Sequence, residues 1–230
     1  MADKKKLFLL DAFALIYRSH FAFIRTPRIN SKGMNTSAVF GVTMTILDVI
    51  KKENPTHIAM VFDAPGGSIR NEQYAEYKAH REEMPEDIRI SIPYIKQLCE
   101  ALNIPTLQAT GFEADDVIGT LAKKAEKEGF VTYMMTPDKD FAQLVSENIF
   151  MYRPGRSGKP REIWGVEEVC EKFEISDPLQ VIDILGLWGD AADNIPGIPG
   201  IGEKTSKKLV AQYGSVEGLI EHADELKGKQ

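Results

Sequence analysis

The chain has 230 residues, of which 43% are hydrophobic and 27% charged, and it carries a net charge of −6 with a pI near 5.4. This is an ordinary globular balance that allows one sizeable core with or without a small appendage, and no apolar run approaches the ~20 residues needed to cross a bilayer. The two cysteines, Cys99 and Cys170, are far apart in sequence, which excludes a thiolate metal pair and a disulfide scaffold, and the apolar stretch after Lys4–Lys6 is too short for a signal peptide, so the expected compartment is the cytoplasm.

In chain order, Lys6–Leu10 reads as a strand that ends at Asp11. Thr36 can cap a helix running to about Lys52, with Phe40, Met44, Leu47 and Val49 or Ile50 as its inner face. A second strand, His57–Phe62, ends at Asp63. Pro85 suits the first turn of a helix reaching about Leu102, with Ile88, Ile92, Ile95 and Leu98 or Cys99 inward. Thr106–Ala109 reads as a short strand, and Glu113–Glu128 as a helix stopped by Gly129. Strands Val131–Met135 and Asn148–Tyr152 follow. This alternation predicts an α/β fold with a mainly parallel central sheet and helices on both faces.

Arg153–Arg161 is a Pro/Gly/basic loop, and only helices are predicted from Val166 onward: Val166–Phe173, Pro178–Leu187, Lys204–Tyr213 and Ser215–His222. The expected division is an α/β core over 1–160 and a helical module over 161–230. The polar end, Lys227–Gln230, looks like a cut inside a longer chain.

Aspartates follow three of these strands: Asp11, Asp63, and the pair Asp138 and Asp140. Ligands of open α/β sheets sit beyond the carboxyl ends of parallel strands. Glu113, Asp115 and Asp116 open a helix, and Asp190 and Asp193 lie three apart. Singly, such residues are often caps or turn formers. Gathered at one edge they repel unless a cation cancels their charge, and hard divalent ions with oxygen ligands do so. With no clustered His or Cys, two Mg²⁺ (or Mn²⁺) ions are expected, with the chemistry of phosphodiester hydrolysis. The acidic pI argues against nucleic acid at face value. Setting these nine carboxylates aside, however, leaves a mildly basic remainder.

Between the second strand and the Pro85 helix, Arg70, Tyr74, Tyr77, Lys78 and Arg81 interleave cations with aromatic rings. Helical spacing would put Tyr74, Tyr77, Lys78 and Arg81 on one side, either as a solvated face or as a surface that holds a phosphate and stacks on bases. Further on, Gly197-Ile198-Pro199-Gly200-Ile201-Gly202-Glu203-Lys204 forms a glycine turn opening a helix that also carries Lys207 and Lys208. Free N–H groups at such a turn can cradle backbone phosphate without reading base sequence.

These blocks together resemble the 5′-nuclease (flap endonuclease) family, and within it the N-terminal 5′→3′ exonuclease domains of bacterial DNA polymerase I. The matching pieces are Leu10-Asp11 with Tyr17-Arg18, Val61-Phe62-Asp63, Tyr77-Lys78 with Arg81, Gly111-Phe112-Glu113-Ala114-Asp115-Asp116, Thr136-Pro137-Asp138-Lys139-Asp140, and Gly186 through Gly197. The resemblance implies a PIN-like nuclease fold with a helical arch around 70–95 and a helix–three-turn–helix (helix–hairpin–helix) module that grips duplex DNA, with K⁺ at the glycine turn. It further implies that Asp11, Asp63, Glu113 and Asp115 hold one metal and Asp138, Asp140, Asp190 and Asp193 the second, with Asp116 close to both. Lys78 would contact the scissile phosphate with Arg81 beside it, and Arg18 and Arg70 would face the DNA, alongside the Tyr77 ring and the Gly200, Gly202, Lys204 and Lys207 turn read above as DNA-binding.

The implied substrate is branched or nicked duplex DNA with a 5′ single strand, the implied products carry 5′-phosphate and 3′-hydroxyl, and the implied role is primer removal and repair. By the same resemblance the chain would be a monomeric, nucleoid-associated bacterial module followed by a polymerase. Two other readings are a DNA-binding module with weak catalysis and a PIN-type RNase. The full carboxylate set disfavours the first and the glycine module the second.

Overall fold

The computed structural model describes residues 5–155 and 160–226. Within them, β1 (Lys6–Asp11), β2 (His57–Val61), β3 (Thr106–Leu107), β4 (Val131–Met135), β5 (Ile149–Arg153) and β6 (Glu162–Trp164) form one sheet in the order β3-β2-β1-β4-β5-β6. Every pairing is parallel except β5 with β6. The chain adds strands to one side of β1, then crosses to the other side at β4. That reversal opens a crevice beyond the carboxyl ends of β1, β2 and β4, where ligands of open α/β sheets bind.

Alternate residues of the strands enter opposite cores. Phe8, Leu10, Met60 and Met135 pack against α1 (Ala12–Ala22), α2 (Ser37–Glu53) and α4 (Glu86–Ala101), bringing in Leu15, Ile16, Val42, Ile46, Ile88 and Ile95. Leu9, Val61, Met134 and Met151 pack on the other face against α5 (Ala114–Lys127) and the C-terminal helices. Those helices are α6 (Val166–Phe173), α7 (Val181–Trp188), α8 (Glu203–Tyr213) and α9 (Val216–Glu221). The helical module shares this core: Ile184, Leu187 and Val210 lie in the same apolar cluster as Leu9 and Met134.

Several expectations are corrected. The inner face of α2 is Ala38, Val42, Ile46 and Val49, while Phe40, Met44 and Ile50 are exposed. The cause is a close crossing with α1. A Cβ on Gly41 would lie 2.5 Å from Ser19 Cβ, so Gly41 must face α1 and the helix rotates accordingly. Thr36 does not cap α2 with its side chain; its hydroxyl donates to Arg28 O at 2.8 Å.

Helix α1 was not anticipated, and neither were β6 or the ribbon of β7 (Gly189–Asp190) and β8 (Ile195–Pro196). Strand β6 belongs to the sheet although it lies beyond residue 160, within the expected helical module. Part of the Arg153–Arg161 loop, Lys4, and the polar end Lys227–Gln230 lie outside the described residues. Among the described residues, no helix is long and apolar enough to cross a membrane, and Cys99 and Cys170 are free thiols.

Candidate active site

Three carboxylates line the crevice at its centre. Asp11 ends β1 and caps α1, accepting from Ala14 N at 3.1 Å and from the Thr136 hydroxyl at 3.0 Å. Asp63, just past β2, accepts from Ala114 N at 2.7 Å, which docks the start of α5 onto this strand end. Asp138 caps a short 3-10 turn over Lys139–Leu144 and accepts from Asp140 N at 3.0 Å. Among the described residues none of the three has a lysine or arginine in ion-pair range. Burial, reinforced by the charges of Asp63 and Asp138, pushes the Asp11 carboxyl up to about 6. These three form the inner group.

The remaining expected ligands form an outer group in which every member meets a cation. Asp116 takes a two-pronged hydrogen bond from Arg70, at 2.7 Å to each oxygen, while its Oδ2 also accepts Glu113 N at 3.0 Å in a capping box. Burial alone would raise Asp116, but Arg70 and that N–H hold it below the usual carboxylate range. Asp115 is 3.8 Å from Arg70, and burial outweighs that charge and raises it to about 6. Glu113 pairs with Lys78 and accepts from the Ser68 hydroxyl at 2.8 Å; these contacts overcome burial and lower it. Asp193 meets Arg81 at 2.6 Å and Lys78 at 3.6 Å. Asp190 and Asp140 share Lys139, at 2.6 and 3.2 Å.

The expected convergence of nine acids is therefore split. They share one edge, yet among the described residues no three ligand side chains are already grouped around one point.

The segment carrying the candidate catalytic cations is not the expected helix. Helix α3 (Ile69–Gln73) has five residues, and residues 74–85 run as turns and extended chain. Lys78 has φ +57, and its N–H donates to Asp193 O at 2.9 Å. Tyr77, expected to stack on bases, is buried, with its hydroxyl 3.1 Å from both Glu113 Oε2 and Asp193 Oδ2. Long-range bonds to the acidic edge override helical spacing here. Arg70, expected at the DNA, is spent on Asp116 in this arrangement, and Arg18 donates to the carbonyls of Pro154, at 3.3 Å, and Gly155.

The glycine turn is open. Gly200 has φ +85 and Gly202 caps α8 with no side chain closing the helix end, and a Cβ at either would meet nothing within 4 Å. Lys204 is exposed beside it. Lys207 is not: it is 9% exposed, donates to Lys172 O at 3.0 Å and Glu203 at 2.7 Å, and lies over the Phe173 ring. It serves the core of the module and not the DNA face.

Residues 6–174 match the model of the 5′-3′ exonuclease N-terminal, resolvase-like domain, and residues 176–230 that of the 5′-3′ exonuclease C-terminal SAM fold. The chain belongs to the 5′-3′ exonuclease family. It is 40% identical over 218 residues to the 5′-3′ exonuclease of Aquifex aeolicus (strain VF5), covering 95% of this chain and 73% of that one. It is 41% identical over 231 residues to the DNA polymerase I of Bacillus subtilis (strain 168), covering all of this chain but only 26% of the polymerase. The fold is similar to that of the bacteriophage T5 D15 flap endonuclease, solved with DNA and metal ions, at a TM-score of 0.77, 22% identity, and coverage of 98% of this chain and 81% of that chain.

For an exonuclease of this family, the sequence reading missed three features. Lys139 was quoted within a motif but given no role, although a cation between two aspartates was a usable signal. Ser68 holds Glu113, and nothing local announces it. Gly189 and Gly197 let two backbones cross beside Asp190: a Cβ on Gly197 would lie 2.1 Å from Trp188 O, and one on Gly189 2.2 Å from Gly197 N. Only the folded ribbon reveals that contact.

Proposed function

We propose that the chain hydrolyses phosphodiester bonds in duplex DNA next to a 5′ flap, nick or end, with two divalent ions held by the acidic edge, and leaves 5′-phosphate and 3′-hydroxyl ends. The observation that carries this reading is the inner group. Asp11, Asp63 and Asp138 are hard oxygen donors at the crevice of a parallel sheet, and no protein cation offsets them among the described residues. Asp11 and Asp63 are half-buried and Asp138 is exposed at the rim; the burial and mutual repulsion that raise Asp11 are what Mg²⁺ or Mn²⁺ with oxygen ligands would relieve. The donor set therefore fits the metals. Bound ions of this kind supply an activated water and stabilise the leaving oxygen.

The chain's own residues do the rest. Lys78 and Arg81 stand over the edge and bind the scissile phosphate once released from Glu113 and Asp193. Arg70 holds Asp116 and, through the capping box, the start of α5. The Gly200–Gly202 turn with Lys204 grips backbone phosphates of the duplex, and a monovalent cation at this turn belongs to the same reading. The chain acts in the cytoplasm, in primer removal and repair, as the leading part of a longer polymerase-bearing protein. In support, it spans about a quarter of the polymerase relatives it matches.

The test is incubation with a 5′-flap duplex labelled at either end of the flap strand, with Mg²⁺ or with chelator. Mg²⁺-dependent cleavage at the flap base, with a downstream strand that DNA ligase can seal, supports the proposal. Ends that resist ligation, or equal cleavage in chelator, contradict it.

A further inference from the structure

Lys139 takes part in no step described so far. It opens the 3-10 turn after β4, and its ammonium reaches Asp190 Oδ2 at 2.6 Å and Asp140 Oδ1 at 3.2 Å. The same ammonium lies 5.4 Å from the centroid of the Trp188 ring. Asp140 is its neighbour in the α/β core, whereas Asp190 belongs to the ribbon of the helical module, so one charge ties the two together. Asp11, Asp63 and Asp138, by contrast, have no such partner among the described residues. An ammonium offers three donors and no lone pair. It cannot act as a ligand, and it competes with a divalent ion for the same oxygens.

We propose that Lys139 is a positioning residue that holds Asp140 and Asp190 together before metal arrives and, by occupying their oxygens, makes the outer of two divalent sites the weaker one. This rests on the metal-dependent reading above. The inner group then fills first, and the outer site fills at higher ion concentration, when the ammonium has been displaced. Trp188 offers that displaced cation a ring face to remain against. Lys139→Met keeps most of the stem and removes the charge, whereas Lys139→Arg keeps the charge.

The test is calorimetric titration of the whole chain with Mn²⁺, without DNA, for wild type, K139M and K139R. The expected wild-type isotherm has a tight and a weak phase. K139M should tighten the weak phase by about tenfold or more, since removing a unit charge at ion-pair distance is a large electrostatic change, and K139R should stay close to wild type. Melting in chelator should fall for K139M, because the Asp140–Asp190 tie is lost, while the gain in Mn²⁺ affinity is something a purely structural lysine would not produce. A two-phase wild type with an unchanged or weakened second phase in K139M overturns the role of Lys139 alone. A wild type that binds no Mn²⁺ overturns the metal reading and this role with it.

Discussion

The Tyr77 hydroxyl lies 3.1 Å from Asp193 Oδ2, across 116 residues of sequence, and so ties the segment after α3 to the helical module at the acidic edge. The same hydroxyl is 3.1 Å from Glu113 Oε2, and its single proton serves one carboxylate at a time. Burial first, then the charges of Glu113 and Asp193, push the phenol far above its ordinary range, so it remains a donor. Tyr77→Phe should therefore cost about 1 kcal/mol of stability, the usual net worth of such a bond. Tyr77→Ala should cost about 3–5 kcal/mol through the cavity it leaves. Urea unfolding in chelator measures both, and a neutral Tyr77→Phe would show that the hydroxyl does not join the two regions.

Asp11 sets a pH dependence whose sign is fixed. Its folded carboxyl titrates near 6, because burial and the charges of Asp63 and Asp138 disfavour ionisation, against about 4 when unfolded. Between these values the folded state keeps a proton the unfolded state has lost, so rising pH costs stability, on the order of 2 kcal/mol by pH 6.5. Asp11→Asn, which still caps α1, should remove Asp11's share of this slope in chelator, while Asp115, raised to about 6, and Asp140, also raised, keep the rest, and Mg²⁺ should offset it in the wild type. Glu113, Asp116 and Asp190, all held low by their cations, contribute the opposite trend at lower pH. Denaturation from pH 4 to 6.5 for the two proteins checks the difference, and parallel curves would contradict it.

At the glycine turn, Gly202 and Lys207 should separate binding from folding. A Cβ at Gly202 meets nothing within 4 Å and its φ is −102, so Gly202→Val leaves the fold intact while blocking close approach of a phosphate backbone. Duplex affinity should fall for Gly202→Val and decline steeply with salt in the wild type. Lys207→Met should instead lower the melting temperature and leave affinity nearly unchanged, because its ammonium is bonded inside the module. Filter binding and thermal melts distinguish the two, and weaker DNA binding by Lys207→Met at full stability would return that lysine to the interface.

Lys78 should act on the reaction more than on the grip. Lys78→Ala is expected to slow single-turnover flap cleavage by about 10²–10³-fold, as for loss of one preorganised electrostatic donor. Affinity measured in Ca²⁺ should change far less, since one phosphate contact among many is a small share of binding. Equal losses in rate and affinity would reassign Lys78 to substrate binding.

What the sequence disclosed follows from the range of each interaction. The parallel strands and the aspartates at their ends were legible because apolar runs mark strands and chain polarity puts Asp11, Asp63 and Asp138 at one edge. The rotation of α2 was not, because the helix is apolar on two sides and the choice is made by Gly41 against Ser19. Residues 74–81 carry a helical spacing that the fold ignores, since Lys78, Arg81 and Tyr77 are held by Glu113 and Asp193. The pairing of Arg70 with Asp116 and the inward turn of Lys207 are likewise tertiary choices that no local pattern encodes.

The most direct test of the proposal that the acidic edge holds the metals is Asp63→Asn, which keeps an oxygen to accept the Ala114 N–H while removing a charge from the inner group. Wild type and variant would be compared in single-turnover cleavage of a labelled 5′-flap duplex in Mg²⁺, with flap affinity measured in Ca²⁺. The expected result is cleavage lost and affinity retained in the variant. Wild-type cleavage by Asp63→Asn would contradict the assignment of this carboxylate to the chemistry.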